Sequence, residues 1–488
     1  MEESKYCNLG DVCNTISETY RANSSKVVLI NTSDVLEGAC LNHEKVENKD
    51  LKGQFKKVFH QNDILYSEIR PANKRFAFME ELKEYRLEEI GTIVGGATPS
   101  TKEQSYYDGN ISWITPKDLS NYTDRFISRG KRMISQNGFD SCSCKMLPKG
   151  SILFSSRAPI GYIAIAENEL CTNQGFKSII PNNRIVDNMF LFYLLEYNKH
   201  AIEGMGSGTT FKEVSGDVMK KFKVRIPCLQ KQKQIASVLS IIDEKIELNR
   251  LINDNLEKQA QGLYKSWFID FEPFKGGKFV DSELGEIPEG WRVGRLSDVG
   301  RIVGGSTPSK SHSEYYTTNG IPWLTPKDLS MTQAKFTSRG EIDITEIGYK
   351  SCSTKLLPRG SVIFSSRAPI GYISIALNEI CTNQGFKSIV PNREIGTAFI
   401  FYYLKANTSK IESQASGSTF KEASGTLINS LSIIRPPLKV IHNFNEIMTP
   451  IFFQQEKNEG ENEKLSKLRD TLLPKLMSGE LKISDLNS

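Results

Sequence analysis

Long stretches of this chain occur twice. WITPKDLS at 113–120 returns as WLTPKDLS at 323–330, LPKGSILFSSRAPIGYI at 147–163 returns as LPRGSVIFSSRAPIGYI at 357–373, and CTNQGFKSI at 171–179 returns unchanged at 381–389. The offset is 210 for these blocks and 209 for the flanking strings VGGATPS at 94 and TTFKEVSG at 209, whose counterparts are VGGSTPS at 303 and STFKEASG at 418. Single-residue indels account for the drift, so a duplication maps about 86–270 onto about 295–479. Solenoid repeats recur every 20–50 residues. A period this long makes each copy a domain with an appendage.

The front of each copy carries short strand-like runs punctuated by Gly and Pro, such as ISWITP, GSILFSS and GYIAIA. The back is helical. Between Gln230 and Trp267 there is no proline, and apolar residues from Ile235 to Trp267 follow a 4-3 spacing with Asn249 and Asn253 as two polar layers. Adding 209 gives a weaker seam from Phe444 to Leu476 with Asn458 and Asn462 in the same places. Each helix would be about 55 Å long and needs a partner to stand in water; the natural partner is the other copy. The simpler reading is ordinary domain packing. Both asparagines are kept at one offset, and a seam asparagine costs stability while fixing register, which favours a rigid spacer. The helices are expected to pair antiparallel, with Asn249 near Asn462 and Asn253 near Asn458.

The expected fold class is α+β: two duplicated, mostly-β domains, each followed by a long helix, the two helices forming an antiparallel coiled coil. The boundaries read as 1–84 for an N-terminal segment, 85–228 for the first domain, 229–269 for the first helix, 270–291 for a linker dense in Gly, Pro and charge, 292–437 for the second domain, and 438–488 for the second helix and tail.

Composition excludes several classes. With 488 residues, 39% apolar and 24% charged, disorder, collagen and a small disulfide scaffold are ruled out. No apolar run approaches the roughly 18 residues of a membrane span, and MEESKYCNLGD at the N-terminus lacks the pattern of a secretion signal. Nine cysteines, an odd count, point to reduced thiols and a cytoplasmic protein. A net charge of +5 is compatible with a nucleic-acid partner.

Catalytic motifs are missing. There is no GxxxxGK[ST] phosphate loop and no GxGxxG unit between strand and helix. The nearest string to an amino-methyltransferase tetrad, Arg435-Pro436-Pro437-Leu438, has the wrong first and last residues. The five histidines are scattered off the repeat, and the CxC of Cys142 and Cys144 becomes Cys352-Ser353-Thr354 in the second copy, so neither a catalytic nor a metal site is expected. Cys171 and Cys381 match and read as buried strand thiols.

Four polar strings recur instead. In the first copy they contribute Thr115 and Lys117, Ser155 and Arg157, Asn173, Gln174 and Lys177, and Thr209 and Lys212; in the second, Thr325, Lys327, Ser365, Arg367, Asn383, Gln384, Lys387 and Lys421. Arg and Lys suit phosphates and guanine edges, Asn and Gln suit adenine, and hydroxyls suit phosphate oxygens. Ordinary turns would use the same residue types to satisfy their own backbone. Taken together, the four strings in two copies set apart by a stiff spacer look like a reader of two DNA half-sites.

These residues carry a family resemblance. The chain resembles the specificity subunit of a type I restriction–modification enzyme over about 86–488: ELGEIPEGW at 283–291 is similar to the family's opening of the second target-recognition domain, LRDTLLPKLMSGEL at 468–481 to its C-terminal end, and QKQIASVLSIIDEKIE at 232–247 to the start of its central helix. The resemblance implies a DNA-binding subunit without catalysis or cofactor. Two modification subunits would methylate adenine with S-adenosylmethionine, and restriction subunits would supply ATP- and Mg-dependent translocation and cleavage. The first 85 residues depart from the family, yet VLINTSDVLEG at 28 echoes ISWITPKDLSN at 111 and HQNDILYSEIRP at 60 echoes PKGSILFSSRAP at 148, so the segment reads as part of a third recognition domain. The segment is either a scar of recombination or an added subdomain packed on the first recognition domain, which leaves a recombination-damaged or silent subunit as an alternative, and a solitary two-lobed DNA-modifying enzyme as a more distant one. Close copies related by an antiparallel spacer should read similar half-sites in inverted order; the main divergence falls at 121–146 against 331–356.

Overall fold

The computed structural model describes residues 82–488 except Asn121, 209–211, Gln333, Ala368, 418–420, Lys482 and 484–488, together with Ile30 and short strands between 18 and 78. The rest of the N-terminal segment, and with it most of the proposed partial domain, lies outside the described residues. Its described strands form short antiparallel pairs, among them Lys26–Val28 with Lys45–Glu47 and Ile64–Tyr66 with Phe76–Phe78. The chain divides into two compact units, 1–240 with 472–488, and 241–471.

Unit 1 is built on a five-stranded sheet of β1 (Gly91–Gly95), β2 (Phe126–Ile127), β3 (Ile152–Ser156), β4 (Ile160–Ala166) and β5 (Lys177–Pro181), in the order β1-β5-β3-β4-β2. All pairs are antiparallel except β2 with β4. Every residue of β3 is buried, which explains why ILFSS is a continuous run where a half-exposed strand would alternate. One face packs on helix α1 (Asn188–Gly204), whose start is set by Asp187 accepting the Phe190 amide at 3.0 Å. Phe190, Leu191, Tyr193, Leu194 and Leu195 are all buried there, and each such side chain contributes roughly 1.5–3 kcal/mol. The same core takes Ile235, Ala236 and Leu239 from the beginning of helix α2 (Leu229–Phe268) and, from the chain's C-terminal end, Leu476 and Met477. A second core on the opposite face includes Ile114, Leu119, Leu147, Leu153 and Phe176.

Unit 2 repeats the sheet with β6 (Gly300–Gly304), β7 (Phe336–Thr337), β8 (Val362–Phe364), β9 (Ile373–Ala376) and β10 (Lys387–Pro391), in the corresponding order β6-β10-β8-β9-β7. It packs on α3 (Thr397–Gln414). Cys171 and Cys381 lie fully buried in the short strands that pair parallel with Trp113 and Trp323.

Within unit 2, α2 runs alongside α4 (Leu438–Ser478). Asn249 Nδ2 donates to Asn462 Oδ1 at 2.9 Å and Asn458 Nδ2 donates to Asn253 Oδ1 at 2.8 Å. Asn253 Nδ2 also reaches the Gln455 carbonyl, Asn462 Nδ2 the Ile246 carbonyl, and Arg469 ion-pairs with Asp243 at 2.9 Å. Rising numbers on one helix meet falling numbers on the other, so the two run antiparallel.

The segment expected as a linker is ordered. Residues 270–291 contain a turn of 3-10 helix, Glu272–Phe274, and a hairpin pairing Phe279–Val280 with Ile287–Pro288. Ile287 and Trp291 are buried, and Trp291 stacks edge-on against Phe271 and Phe274. Gly276, Gly277 and Gly290 serve turns, while Pro288 sits buried in the hairpin and the aromatics of the segment pack together. Among the described residues no helix is long and apolar enough to cross a membrane.

Candidate nucleic-acid interface

In unit 1 the polar strings meet at one place. Asp118 organises the first: Oδ2 accepts the Thr115 amide at 2.8 Å and its hydroxyl at 2.6 Å, and Oδ1 accepts the Lys131 amide at 2.8 Å. Pro116 of this turn lies against Gly175, where a Cβ would come within 2.8 Å of the proline ring. Around Gly175 the TNQGFK turn closes on itself, Asn173 Oδ1 accepting the Gly175 amide at 2.9 Å. The Gly175 carbonyl accepts the Ser156 amide at 2.7 Å, which ties this turn to the SSRAP string. Gly96 lets the VGGATP string enter: a Cβ there would lie 2.2 Å from the carbonyl oxygens of Thr172 and Asn173. The Thr98 hydroxyl of that string donates to Gln174.

The fourth string joins through charge. Arg157 and Glu213 form an antiparallel backbone bridge, and the Glu213 carboxylate sits 3.6 Å from the Arg157 guanidinium and 3.2 Å from the Lys177 ammonium. Three strings thus share one carboxylate between two cations.

Unit 2 reproduces this. Asp328 accepts the Thr325 amide and hydroxyl, each at 2.7 Å, and the Glu341 amide at 2.9 Å. Asn383 accepts the Gly385 amide at 2.9 Å, and Thr307 donates to Gln384. Glu422 lies 3.3 Å from both Arg367 and Lys387. Lys327 differs: it is ion-paired to Glu341 at 2.9 Å, and that bond raises its pKa above the usual lysine value.

Among the candidate residues, Lys117, Gln174, Lys212, Lys327, Gln384 and Lys421 are exposed. Arg157 and Arg367 expose about a third of their side chains, while Lys177 and Lys387 are mostly covered. Asn173 and Asn383 spend their side-chain oxygen on their own turns, and among the described residues their amide nitrogens have no protein acceptor. Thr115 and Thr325 commit their hydroxyls to Asp118 and Asp328. Thr209 lies outside the described residues.

Ser155 and Ser365 are corrections. Both are fully buried. Their hydroxyls donate to the carbonyls of Pro159 and Pro369, each at 2.8 Å, and accept the amides of Tyr162 and Tyr372 at 2.7 and 2.8 Å. They satisfy the bend of their own loops and cannot reach a phosphate.

Sequence reasoning passed over Glu213, Glu422, Thr98 and Thr307. The available signal was an acidic residue held at one offset inside an otherwise basic string. The CxC also finds a physical account. Cys144 donates to the Thr172 carbonyl at 3.5 Å, and Thr354 donates to the corresponding Thr382 carbonyl at 3.0 Å, so thiol and hydroxyl serve the same bond.

The profile of the type I restriction modification DNA specificity domain matches this chain twice, over 79–258 and 288–467. The chain is 36% identical over 411 residues to the type I restriction enzyme MjaIX specificity subunit of Methanocaldococcus jannaschii, covering 82% of this chain and 94% of that one. It is 28% identical over 548 aligned positions to the type I restriction enzyme HindI specificity subunit of Haemophilus influenzae, covering 99% and 100%. A solved type I restriction–modification S subunit from M. genitalium shares the fold, with a TM-score of 0.51 at 15% identity over 81% of this chain and 96% of that one. The chain belongs to the family of type I restriction–modification specificity subunits.

Proposed function

We propose that this chain chooses the DNA sequence for a type I restriction–modification complex and carries no catalytic step itself. The observation that carries the reading is the duplicated convergence of polar strings, with Arg157, Lys177 and Glu213 in one unit and Arg367, Lys387 and Glu422 in the other. A guanidinium held in place by a carboxylate keeps a fixed orientation in which its remaining N–H groups can donate to a base edge. Gln174, Gln384 and the side-chain amide nitrogens of Asn173 and Asn383 supply donors that suit bases, and Lys117, Lys212 and Lys421 supply sequence-independent affinity.

Methyl transfer and cleavage belong to partners in this reading: modification subunits using S-adenosylmethionine, and restriction subunits using ATP and Mg. The paired helices serve as the spacer, and Asn249, Asn253, Asn458 and Asn462 set its register. The complex acts on double-stranded DNA in the cytoplasm. Because the two sets of polar strings are nearly the same, the target is bipartite with two similar half-sites in inverted order around an unspecified gap.

Single-molecule methylome sequencing of a host expressing this chain with its modification partner tests the reading. The expected result is adenine methylation at a gapped, nearly palindromic site. Methylation at two half-sites without inverted similarity would assign specificity to the divergent stretch instead. Methyl transfer by the purified chain alone would overturn the non-catalytic reading.

A further inference from the structure

The two copies part company in the loop beside the TPKD turn. In unit 1 the loop 127–133 is held to Asp118 through the Lys131 amide, and in unit 2 the loop 337–343 is held to Asp328 through the Glu341 amide. Gly130 and Gly340 make the same close approach, a Cβ at either lying 2.5 Å from the carbonyl oxygen of Trp113 or Trp323. The backbone is therefore anchored alike, and the side chains it presents can be compared position by position.

They differ sharply in charge. In unit 1 the turn and loop present Lys117, Arg129, Lys131 and Arg132, all exposed and none ion-paired to a carboxylate among the described residues. Arg132 lies 3.9 Å from the centre of the Tyr107 ring, which steadies the guanidinium without neutralising it. In unit 2 the matching Lys327 is paired to Glu341 at 2.9 Å, and Arg339 to the buried Asp343 at 3.2 Å. Ile342 stands where unit 1 has Arg132, and Asp343 where unit 1 has Met133. Four cations without a carboxylate partner among the described residues of unit 1 thus correspond to two ion-paired cations and two carboxylates in unit 2.

We propose that the two recognition domains grip DNA unequally: the first holds backbone phosphate with Lys117, Arg129, Lys131 and Arg132, and the second lacks this phosphate site because Glu341 and Asp343 already occupy its cations. The inference rests on reading both domains as DNA readers. A free surface cation that meets a phosphate releases condensed counterions, whereas one already paired to a carboxylate must first give up that partner and releases little. The shared strings read similar bases in both domains, and the first domain supplies more of the salt-sensitive affinity.

Matched single variants at the same repeat position test this. The complex of the full chain with its modification subunits is titrated with a random-sequence DNA duplex, and log affinity is followed against log salt. Lys117→Ala is expected to flatten the slope by about 0.9, one phosphate contact, and Lys327→Ala to leave it unchanged. Lys131→Glu with Arg132→Ile, which gives these two positions their counterparts' residues, is expected to flatten it by roughly 2.7, because the new carboxylate also pairs Lys117. Glu341→Lys with Ile342→Arg is expected to steepen it. All these positions are exposed, so an unchanged unfolding midpoint verifies folding. Equal slopes for Lys117→Ala and Lys327→Ala, in a complex whose parent binds with a clear salt dependence, overturn the inference. A parent complex with no salt-dependent binding overturns the DNA-reading assignment itself.

Discussion

Removing the negative charge of Glu257 should uncouple the second domain from the helix that follows the first. Lys335, at the entry to β7, has only 9% of its side chain exposed. Its ammonium lies 2.8 Å from Glu257 Oε2, 2.7 Å from the Tyr402 hydroxyl, 2.8 Å from Gln455 Oε1 and 4.0 Å from the centre of the Phe452 ring. Burial pulls the Lys335 pKa down to about 8 against the attraction of Glu257. Burial also works to raise Glu257, but the ammoniums of Lys335 and Lys405 outweigh it and hold the carboxyl well below the usual range. At an effective dielectric of about 20, charges this close attract by roughly 6 kcal/mol, most of it spent on desolvation. Glu257→Gln leaves the cation buried without its counter-charge, at a cost of about 3–5 kcal/mol. Glu257→Leu combined with Lys335→Met removes both charges and should restore most of the loss. Urea unfolding followed by tryptophan fluorescence measures the cycle; Trp267, Trp291 and Trp323 all report on unit 2. A cost below about 1 kcal/mol for Glu257→Gln, or single changes that simply add, would refute the buried pair as the coupling element.

Acid should reveal the same group. The folded pKa of Glu257 is depressed, so its stabilisation is present above about pH 4.5 and lost as pH falls below that value; Glu257→Gln should show a shallower acid limb in pH-dependent melts. Asn249 is fully buried and bonded to Glu461 and Asn462, so Asn249→Leu with Asn253→Leu strands Asn462 and Asn458 and should cost about 1–3 kcal/mol. Changing all four asparagines to Leu should instead stabilise the pair while permitting other registers, read by thermal melts and by cysteine cross-linking at shifted positions. Arg157→Ala should weaken target binding by the assembled complex by about 1–3 kcal/mol, and unchanged affinity with an unchanged salt slope would exclude both base and phosphate contact. Asp118→Ala removes the acceptor of three hydrogen bonds and should loosen the TPKD turn, seen as faster amide exchange at Thr115 and Lys131.

Repetition made much of this protein readable from its residues. Two copies at one offset dictate two similar domains, and a 4-3 apolar spacing with asparagines at matching positions dictates which side chains meet when the helices run antiparallel, because both are properties of spacing along the chain. The family followed from strings long enough to be specific. Tertiary structure decided how each polar residue is used. A serine in SSRAP and an arginine two positions later are equally polar on paper, yet Ser155 lies inside the fully buried β3 and bonds its own bend, whereas Arg157 falls just past the strand end and stays partly at the surface beside Glu213. Glu213 lies 36 residues beyond Lys177 and 56 beyond Arg157, and only the closing of the fourth string onto the sheet places its carboxylate between them. The 270–291 segment looked like a linker because Gly and Pro set its composition, whereas Ile287 and Trp291 gain burial only when the hairpin folds against the core. Lys335 and Glu257 are 78 residues apart, and their pairing depends on a helix and a sheet edge meeting in a place too dry to leave either charge alone. Patterns with a period are local and survive in the sequence; the choice of partner for a polar group depends on which distant segments exclude water around it, and that exists only in the folded chain.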